Sequence, residues 1–269
     1  MSPARVDPGW LALRADTDRA ARRSADPLAA KLARHLVTRL ADRRPARLVD
    51  VGAGTGAGAA WLRPRLPIAQ QWRLVDRDGD LLRGAPPIRD GWARPVPADV
   101  ADLPALLGDE PADAVTCQAL LDLLTEDQLR DMVEPAARAG SAVFFGLSVT
   151  GRVTLTPPHP EDAAVGEAFN AHQRRGGRLG PDAGTHAHQM LRSHRYHVTE
   201  VDTAWLLDAS RIELTVAWLH GRAAAAAEQA PNLTERVVQW LDDRVAAARR
   251  GELTAIVQHV DVLGIPAAR

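Results

Sequence analysis

Cysteine is almost absent from this chain of 269 residues, in which Cys117 stands alone. One cysteine cannot form an internal disulfide, so the chain lacks the framework of small secreted domains and suits a reducing compartment. No apolar run reaches the roughly 18 residues of a membrane-spanning helix. The first residues carry charges, among them Asp7, Arg14, Asp16 and Asp18, instead of the apolar segment of a secretory signal. These absences predict a cytoplasmic protein without a membrane partner.

Lysine and tyrosine are equally scarce, and each occurs once, as Lys31 and Tyr196. Because these two lie far apart in sequence, the chain cannot supply the Tyr-x-x-x-Lys pair of short-chain dehydrogenases, which excludes that subclass of oxidoreductase. Neither sign of charge is in excess, since 33 basic residues accompany 34 acidic ones. A balanced charge gives no support to a nucleic-acid partner. The length and a hydrophobic fraction of 46% suffice for one α/β domain with a buried core.

Histidine is better represented, with nine residues, but none of them combines with cysteine in the spacing of a zinc site. His186 and His188 are two residues apart, so on a helix their rings would lie on different faces. We therefore predict no metal site.

The most informative segment covers residues 50–56, with the sequence Asp-Val-Gly-Ala-Gly-Thr-Gly. It follows an apolar pair and precedes a helix-competent stretch, which is the order of a strand, a tight turn and a helix. Gly52 and Gly54 permit a positive φ and a close approach of the backbone to a ligand, and the following helix directs free amide groups toward the turn. We expect a cofactor that carries a nucleoside to bind against Gly52, Ala53 and Gly54.

The identity of this cofactor depends on the charge beside the turn. Gly52-x-Gly54-x-x-Ala57 formally fits the dinucleotide fingerprint G-x-G-x-x-G/A, so a nicotinamide-dependent oxidoreductase stays open as an alternative. Asp50 precedes the first glycine by two residues, and its carboxylate would repel a pyrophosphate. S-adenosyl-L-methionine brings an ammonium and a sulfonium instead. The charge argument therefore favours this methyl donor over a dinucleotide.

Residues 48–62 (LVDVGAGTGAGAAWL) resemble the first motif of the class I, Rossmann-like, S-adenosylmethionine-dependent methyltransferases. Three later segments, 73–76, 97–104 and 112–118, resemble the next three motifs of that family in the same order. The resemblance covers roughly residues 46–150, and four ordered motifs are more specific than any one of them. It implies the fold of the family and its methyl-donor cofactor.

The resemblance also implies roles for individual residues. Asp76 would take the two ribose hydroxyls of the cofactor, for which its two carboxylate oxygens are suited. Asp99, in preference to Asp102, would accept a hydrogen bond from the adenine amino group. Gln118, at the end of the fourth strand, would face the methionyl part. The predicted cofactor-binding set is Asp50, Gly52, Ala53, Gly54, Asp76, Arg77, Asp99, Val100 and Gln118.

Apolar runs alternate with helical segments in the middle of the chain, which predicts βα units and a parallel sheet. Together with the resemblance, this pattern predicts an α/β fold: a doubly wound, mostly parallel seven-stranded sheet with helices on both faces. Strand five is expected over residues 141–149. We divide the single domain, 1–269, into an N-terminal helical cap (1–45), a cofactor-binding core (46–150), a substrate or lid insertion after strand five (151–195) and a C-terminal part of the sheet (196–269).

The insertion is where we place the methyl acceptor, because the segment after the fifth strand often forms part of the acceptor site in the resembled family. Loops beside a rigid rim also commonly carry specificity. Residues 161–175 can form a helix there, and its predicted substrate-binding residues are Phe169, Asn170, His172 and Arg174. His172 titrates near neutrality and is the first candidate for a base, with Asp122 after the fourth strand as the second. An amine or a resonance-acidified hydroxyl needs no base.

Two absent motifs narrow the acceptor. No Asn/Asp-Pro-Pro-Tyr motif, which many enzymes use on exocyclic and glutamine amides, follows the fourth strand. Cys117 follows threonine and not the proline that usually precedes the nucleophile of pyrimidine C5 methylation. We therefore expect O- or N-methylation of a small molecule by in-line displacement, in specialised metabolism, by a monomer or a homodimer. The alternatives are the nicotinamide-dependent oxidoreductase and a non-catalytic protein that retains the fold.

Overall fold

The computed structural model describes residues 7–41 and 44–267. Its strands are β1 (Ala46–Val51), β2 (Gln70–Asp76), β3 (Ala93–Pro97), β4 (Ala114–Gln118), β5 (Ala142–Thr156), β6 (Tyr196–Leu207) and β7 (Thr254–Pro266). Its α-helices are α1 (Pro8–Arg22), α2 (Asp26–Leu40), α3 (Ala57–Leu62), α4 (Gly79–Gly84), α5 (Pro86–Arg89), α6 (Leu103–Asp109), α7 (Glu126–Ala139), α8 (Asp162–Gln173), α9 (Ala183–Ser193), α10 (Ile212–Gln229) and α11 (Thr234–Arg249). In this part of the chain, no helix is both long enough and apolar enough to cross a membrane.

The strands form one seven-stranded sheet in the order β3-β2-β1-β4-β5-β7-β6. The first five strands of this order run parallel to one another, and β7 is antiparallel to both β5 and β6. The predicted mostly parallel seven-stranded sheet is confirmed. The winding of the chain reverses between β1 and β4, and a doubly wound sheet binds its ligands beyond the carboxyl ends of the strands at such a point.

Apolar side chains alternate between the two faces of β1 and form a core on each side. Leu48 belongs to the core that α2 and α3 cover, where it packs with Leu32 and Leu62. Val49 belongs to the opposite core, which contains Met132 of α7. The strand is therefore covered on both faces, as is usual in a parallel sheet. The predicted helices on both faces of the sheet are confirmed.

The predicted N-terminal cap is helical over the residues described, while residues 1–6, 42 and 43 of that segment lie outside them. Asp7 begins α1 as its N-cap, because its Oδ1 accepts a hydrogen bond from the Gly9 N–H at 2.8 Å. The apolar face of α2 packs on the sheet. In contrast, α1 contacts β5 and β6 and lies at the carboxyl ends of the strands. The second half of the cap therefore covers the sheet, and the first half lies beside the carboxyl ends of the strands.

Strand β5 extends to Thr156, beyond the predicted end at residue 149. Its register against β7 shifts twice, and Gly151 adopts a φ of +70° at the second shift. A glycine in a bulge continues a strand and changes its direction. The first residues assigned to the insertion therefore belong to the sheet, where they pair with the beginning of β7.

The remaining part of the predicted insertion contains α8 and α9, and the expected helix at 161–175 is α8. This helix packs against α10 and contributes to a separate apolar core with α11. Val165 of α8 and Trp240 of α11 are both fully buried in that core. The packing on α10 and α11 fixes which way α8 presents its polar side chains.

Candidate functional site

A cavity of about 680 Å³ opens at the carboxyl ends of β1, β2 and β4, with α1 along one side. We refer to this cavity as the cleft. Its volume lies within the range of sites that hold small-molecule ligands and cofactors. Each residue of the predicted cofactor-binding set lines it, namely Asp50, Gly52, Ala53, Gly54, Asp76, Arg77, Asp99, Val100 and Gln118.

The glycine turn forms the floor of the cleft. Gly52 and Gly54 have φ values of +63° and +54°, a left-handed conformation that side chains with a Cβ rarely adopt. A Cβ added at Gly52 would meet Leu120 Cδ2 at 2.4 Å, so the Leu120 side chain would have to move to admit it. A Cβ added at Gly54 would reach Leu81 Cδ2 only at 3.7 Å, so this position adjoins open space in the cleft. The turn thus lets a ligand approach the backbone closely at Gly54.

Asp76 ends β2 and connects the glycine turn with the next loop. Its Oδ2 accepts a hydrogen bond from the Gly54 N–H at 2.8 Å, and its Oδ1 accepts one from the Asp78 N–H at 2.9 Å. Each carboxylate oxygen has two acceptor sites, so each keeps capacity for a further donor. The two backbone bonds hold the carboxylate at the edge of the cleft in a fixed orientation.

Asp50, at the end of β1, is only 1% exposed. Its Oδ1 accepts a hydrogen bond from Thr116 Oγ1 at 2.6 Å. Burial raises the pKa of Asp50 to about 6, although the Thr116 hydrogen bond and the charge of Arg22 lower it in part. Burial also raises the pKa of the neighbouring Cys117 thiol, which fits the interpretation of that residue as a small core side chain. The Asp50 carboxylate therefore changes charge near neutral pH.

Asp99 follows β3 and begins a short 3₁₀ turn at Val100–Asp102. The backbone N–H of Asp99 donates to Asp102 Oδ2 at 2.9 Å, so the Asp102 carboxylate is used to cap this turn. Asp99 lines the cleft, and Asp102 is not among the residues that do. Val100, the next residue, also lines the cleft.

A polar stripe on one face of α1, formed by Arg14, Asp18 and Arg22, lines the cleft. These residues are not among the predicted site residues. Arg14 Nε donates to Asp18 Oδ2 at 2.9 Å, and Trp205 Nε1 of β6 donates to Asp18 Oδ1 at the same distance. Arg22 Nε donates to Gln118 Oε1 at 3.0 Å. The sequence does contain a pattern that indicates this arrangement. Trp10, Arg14, Asp18 and Arg22 are spaced four residues apart, which places them on one face of a helix.

Arg22 and Gln118 meet at the inner end of the cleft, where both are partly unsatisfied. Arg22 is 5% exposed, and burial lowers the pKa of its guanidinium, with the charge of Asp18 opposing that effect. Gln118 Nε2 is buried and has no acceptor among the described residues. Two donor groups therefore point to a ligand with acceptor oxygens at this end.

The charge of the cleft is negative. Six carboxyl side chains line it together with three guanidinium groups: Asp7, Asp18, Asp50, Asp76, Asp78 and Asp99, and Arg14, Arg22 and Arg77. A cation gains from such surroundings, whereas a pyrophosphate is repelled by them. In the described part of the chain, no three histidine, cysteine or acidic side chains cluster in a way that would hold a metal ion.

The residues that we predicted to bind the substrate or to act as a base do not line the cleft. His172 Nε2 is 3.3 Å from Glu228 Oε2 on α10, and Arg174 Nε donates to Asp182 Oδ2 at 2.6 Å. Neither residue lines the cleft. The reason is that α8 packs on α10, away from the rim that the sequence pattern assigned to it. Phe169, Asn170 and Asp122 line a second, smaller cavity of about 90 Å³.

No protein-family model matches this sequence, and the search of curated proteins found no match. Among solved structures, the YcgJ protein of Bacillus subtilis is 13% identical, and the alignment covers 83% of this chain and 93% of that one with a TM-score of 0.50. A cyclopropane-fatty-acyl-phospholipid synthase-like protein of Lactobacillus casei is 12% identical, with coverage of 93% and 98% and a TM-score of 0.48. A putative sarcosine dimethylglycine methyltransferase of Galdieria sulphuraria is also 12% identical, with coverage of 89% and 86% and a TM-score of 0.43. At these identities the similarity concerns the fold alone.

Proposed function

We propose that this chain, which has the class I methyltransferase fold, binds S-adenosyl-L-methionine and transfers its methyl group to a small-molecule acceptor. The observation that carries the proposal is the acidic cleft at the carboxyl ends of adjacent strands. Asp50 and Asp76 lie at the carboxyl ends of β1 and β2, Asp99 follows β3, and all three line that one cavity. The arrangement matches the different donor and cationic groups that are distributed along this cofactor.

The adenosine half of the cofactor fits the β2 and β3 side of the cleft. Asp76 offers a fixed carboxylate with free acceptor capacity to the two ribose hydroxyls. Asp99 offers an acceptor to the adenine amino group, and the Val100 region forms the neighbouring wall. At Gly54, where a Cβ would extend into open space, the backbone leaves room for the nucleoside.

The methionyl half fits the β1 and β4 side. Asp50 offers a buried negative charge to the ammonium and to the sulfonium. Arg22 and the unpaired Nε2 of Gln118 offer donors to the carboxylate of the same amino acid. Charge-assisted hydrogen bonds of this kind are stronger than neutral ones. The cleft therefore contains a partner for each charged group of the ligand.

A dinucleotide fits less well, for reasons of charge and of topology. A pyrophosphate needs a helix N-terminus and positive surroundings, but α3 has only six residues and the cleft is lined mainly by carboxylates. The dinucleotide-binding fold has the strand order 3-2-1-4-5-6, whereas an antiparallel β7 separates β5 from β6 here. These two differences favour the methyl donor over the nicotinamide alternative.

The bound cofactor supplies an already activated methyl electrophile, so the chain itself has to bind, orient and exclude water. Trp10, Leu11 and Leu123 contribute apolar surface to the cleft beside α1. Asp18 also lines the cleft, where its carboxylate accepts hydrogen bonds from Arg14 and Trp205. With His172 and Asp122 outside the cleft, we favour an acceptor that needs no protein base, such as an amine or an acidified hydroxyl.

The proposal predicts selective binding of the cofactor product. Isothermal titration of the purified chain with S-adenosylhomocysteine is expected to give a saturable one-site isotherm, and titration with NAD⁺ under the same conditions is expected to give none. Methyl transfer from labelled S-adenosyl-L-methionine to a panel of amines, phenols and carboxylic acids then tests turnover. Binding of NAD⁺ without binding of S-adenosylhomocysteine would overturn the proposal. Cofactor binding without transfer to any acceptor would instead support the non-catalytic alternative.

Cofactor affinity is also expected to depend on pH through Asp50. The carboxylate attracts the ammonium only when it is ionised, and its pKa in the free protein is raised to about 6 by burial. Affinity for S-adenosylhomocysteine should therefore decrease about tenfold on lowering the pH from 7 to 5, since one pH unit below the pKa leaves about a tenth of the carboxylate ionised. The matched variant Asp50→Asn should bind weakly at both values, with no such decrease. An unchanged wild-type affinity at pH 5 would contradict this role.

A further inference from the structure

A second cavity, of about 90 Å³, lies outside the cleft between α8, α10 and the extended end of β5. Its polar lining comes from Arg222 of α10, Asn170 and Gln173 of α8, and Asp122. Its apolar lining includes the rings of Phe169 and Trp218. The proposed methyl transfer uses none of these side chains.

Arg222 is exceptional among the buried arginines of the described residues. It is 5% exposed, yet its guanidinium makes no hydrogen bond or ion pair within residues 7–41 and 44–267. By contrast, Arg22, Arg73 and Arg244 are similarly buried and all donate to oxygen acceptors. A buried cation normally has a partner.

The charges near Arg222 do not supply that partner. Burial lowers the pKa of Arg222 to about 10, and the only charge that opposes this effect is that of Asp162. Asp162 is already engaged, because its Oδ1 accepts hydrogen bonds from Trp240 Nε1 at 2.8 Å and from Arg244 Nε at 3.2 Å. Asp122 lines the same cavity, but the charges that act on it are those of Arg14 and Arg178. Arg222 therefore lacks a counter-ion of its own.

The aromatic contacts of Arg222 leave its donors free. The guanidinium carbon lies 4.6 Å from the centre of the Phe169 ring and 5.4 Å from that of Trp218. A cation near an aromatic ring is attracted by the ring's π face, and this attraction gives the N–H groups no oxygen acceptor. An acceptor in the adjoining cavity would supply the missing hydrogen-bond partner.

We propose that this small cavity is a carboxylate-binding site in which Arg222 forms the bidentate pair. A planar carboxylate matches the fork of N–H groups on a guanidinium. The cavity accommodates a compact group such as acetate or the carboxyl end of a larger molecule, and the apolar rings exclude water around the ion pair. The site is independent of the proposed methyl transfer, because it shares no lining residue with the cleft.

The test uses sodium acetate as the probe and acetamide as its neutral isostere, at constant ionic strength and without cofactor. The melting temperature of the wild-type chain should rise with acetate concentration and should not respond to acetamide or to chloride. Arg222→Met keeps the unbranched stem and removes the charge, and it should abolish the response to acetate. Arg19→Met is the matched control, because Arg19 lies exposed on α1, and it should respond like the wild type.

A second variant keeps the proposal testable if Arg222→Met does not fold. Gln173→Glu retains Arg222 and replaces a lining side chain by one of the same size that carries a negative charge. This charge would compete with acetate for Arg222, so titration calorimetry should give at least a tenfold loss of acetate affinity. Equal responses to acetate and acetamide, or an acetate response that survives both substitutions, would overturn the proposal and leave a cavity filled by water only. Since no cofactor is present, this result is separate from the outcome of the S-adenosylhomocysteine titration.

Discussion

Gly54→Ala is expected to weaken the binding of S-adenosylhomocysteine about 100-fold and to leave the fold intact. The added Cβ would lie 3.7 Å from Leu81 Cδ2 and 4.0 Å from Leu11 Cδ1, two side chains that line the cleft, so it occupies ligand space and not protein space. Inserting a methyl group into a closely packed contact costs up to about 3 kcal/mol. A loss of binding free energy of that size lowers the affinity about 100-fold. Titration calorimetry measures the loss directly.

Gly91→Ala is the control for backbone strain in this experiment. Gly91 has a φ of +73°, a Cβ there would meet nothing within 4 Å, and the residue does not line the cleft. Both substitutions place alanine in the left-handed region and should lower the free energy of unfolding by a similar amount, about 1–2 kcal/mol. Only the change at Gly54 should affect affinity. Equal affinities of the two variants would show that the ligand does not approach the glycine turn.

Asp76→Ala is expected to reduce the affinity for S-adenosylhomocysteine by about 100-fold or more. Hydrogen bonds to a charged group contribute about 1.5–3 kcal/mol each, and the substitution removes the acceptor for two ribose hydroxyls. It also removes the acceptor of the Gly54 N–H, so the glycine turn loses a contact that holds it in place. Both effects act in the same direction on affinity.

The ribose contact can be separated from the turn contact by changing the ligand. An S-adenosylhomocysteine analogue without the 2′- and 3′-hydroxyls should bind the wild type weakly, and Asp76→Ala should reduce its affinity much less than that of the parent compound. Asp80→Ala is the control, because this nearby carboxylate is exposed and does not line the cleft. An Asp76→Ala variant that binds S-adenosylhomocysteine within threefold of the wild type would contradict the assignment.

The helix α8 shows what a sequence pattern predicts and what it leaves open. Its bounds agree with the expected helix at 161–175, but His172 contacts Glu228 and the helix packs against α10. Helical periodicity indicates which residues share a face, and it carries no information on which distant helix covers that face. The same packing brings Phe169 next to Arg222 of α10, a contact that no local pattern reveals.

The polar stripe on α1 is a site feature that the spacing of residues in the sequence does indicate, although it is not among the predicted site residues. Trp10, Arg14, Asp18 and Arg22 recur every four residues, so a helical face that is polar and begins with tryptophan is evident in the sequence. Only the structure shows that this face meets Gln118 and Trp205. Charged residues on a helix are usually in solvent, and the burial of Arg22 depends on contacts with strands far along the chain.

The sequence by itself determined the strand, glycine turn and helix around residues 50–56, the acidic residues at or just after the ends of the first three strands, and the mostly parallel sheet. These features are local, because φ values, strand ends and apolar alternation depend on residues close together in the chain. The tertiary structure alone decided that α1 lines the cleft, that α8 packs away from it on α10, and that Arg222 is buried near two aromatic rings without a counter-ion of its own. Those contacts join segments that are distant in sequence, and packing selects them through buried area and charge that no short pattern encodes.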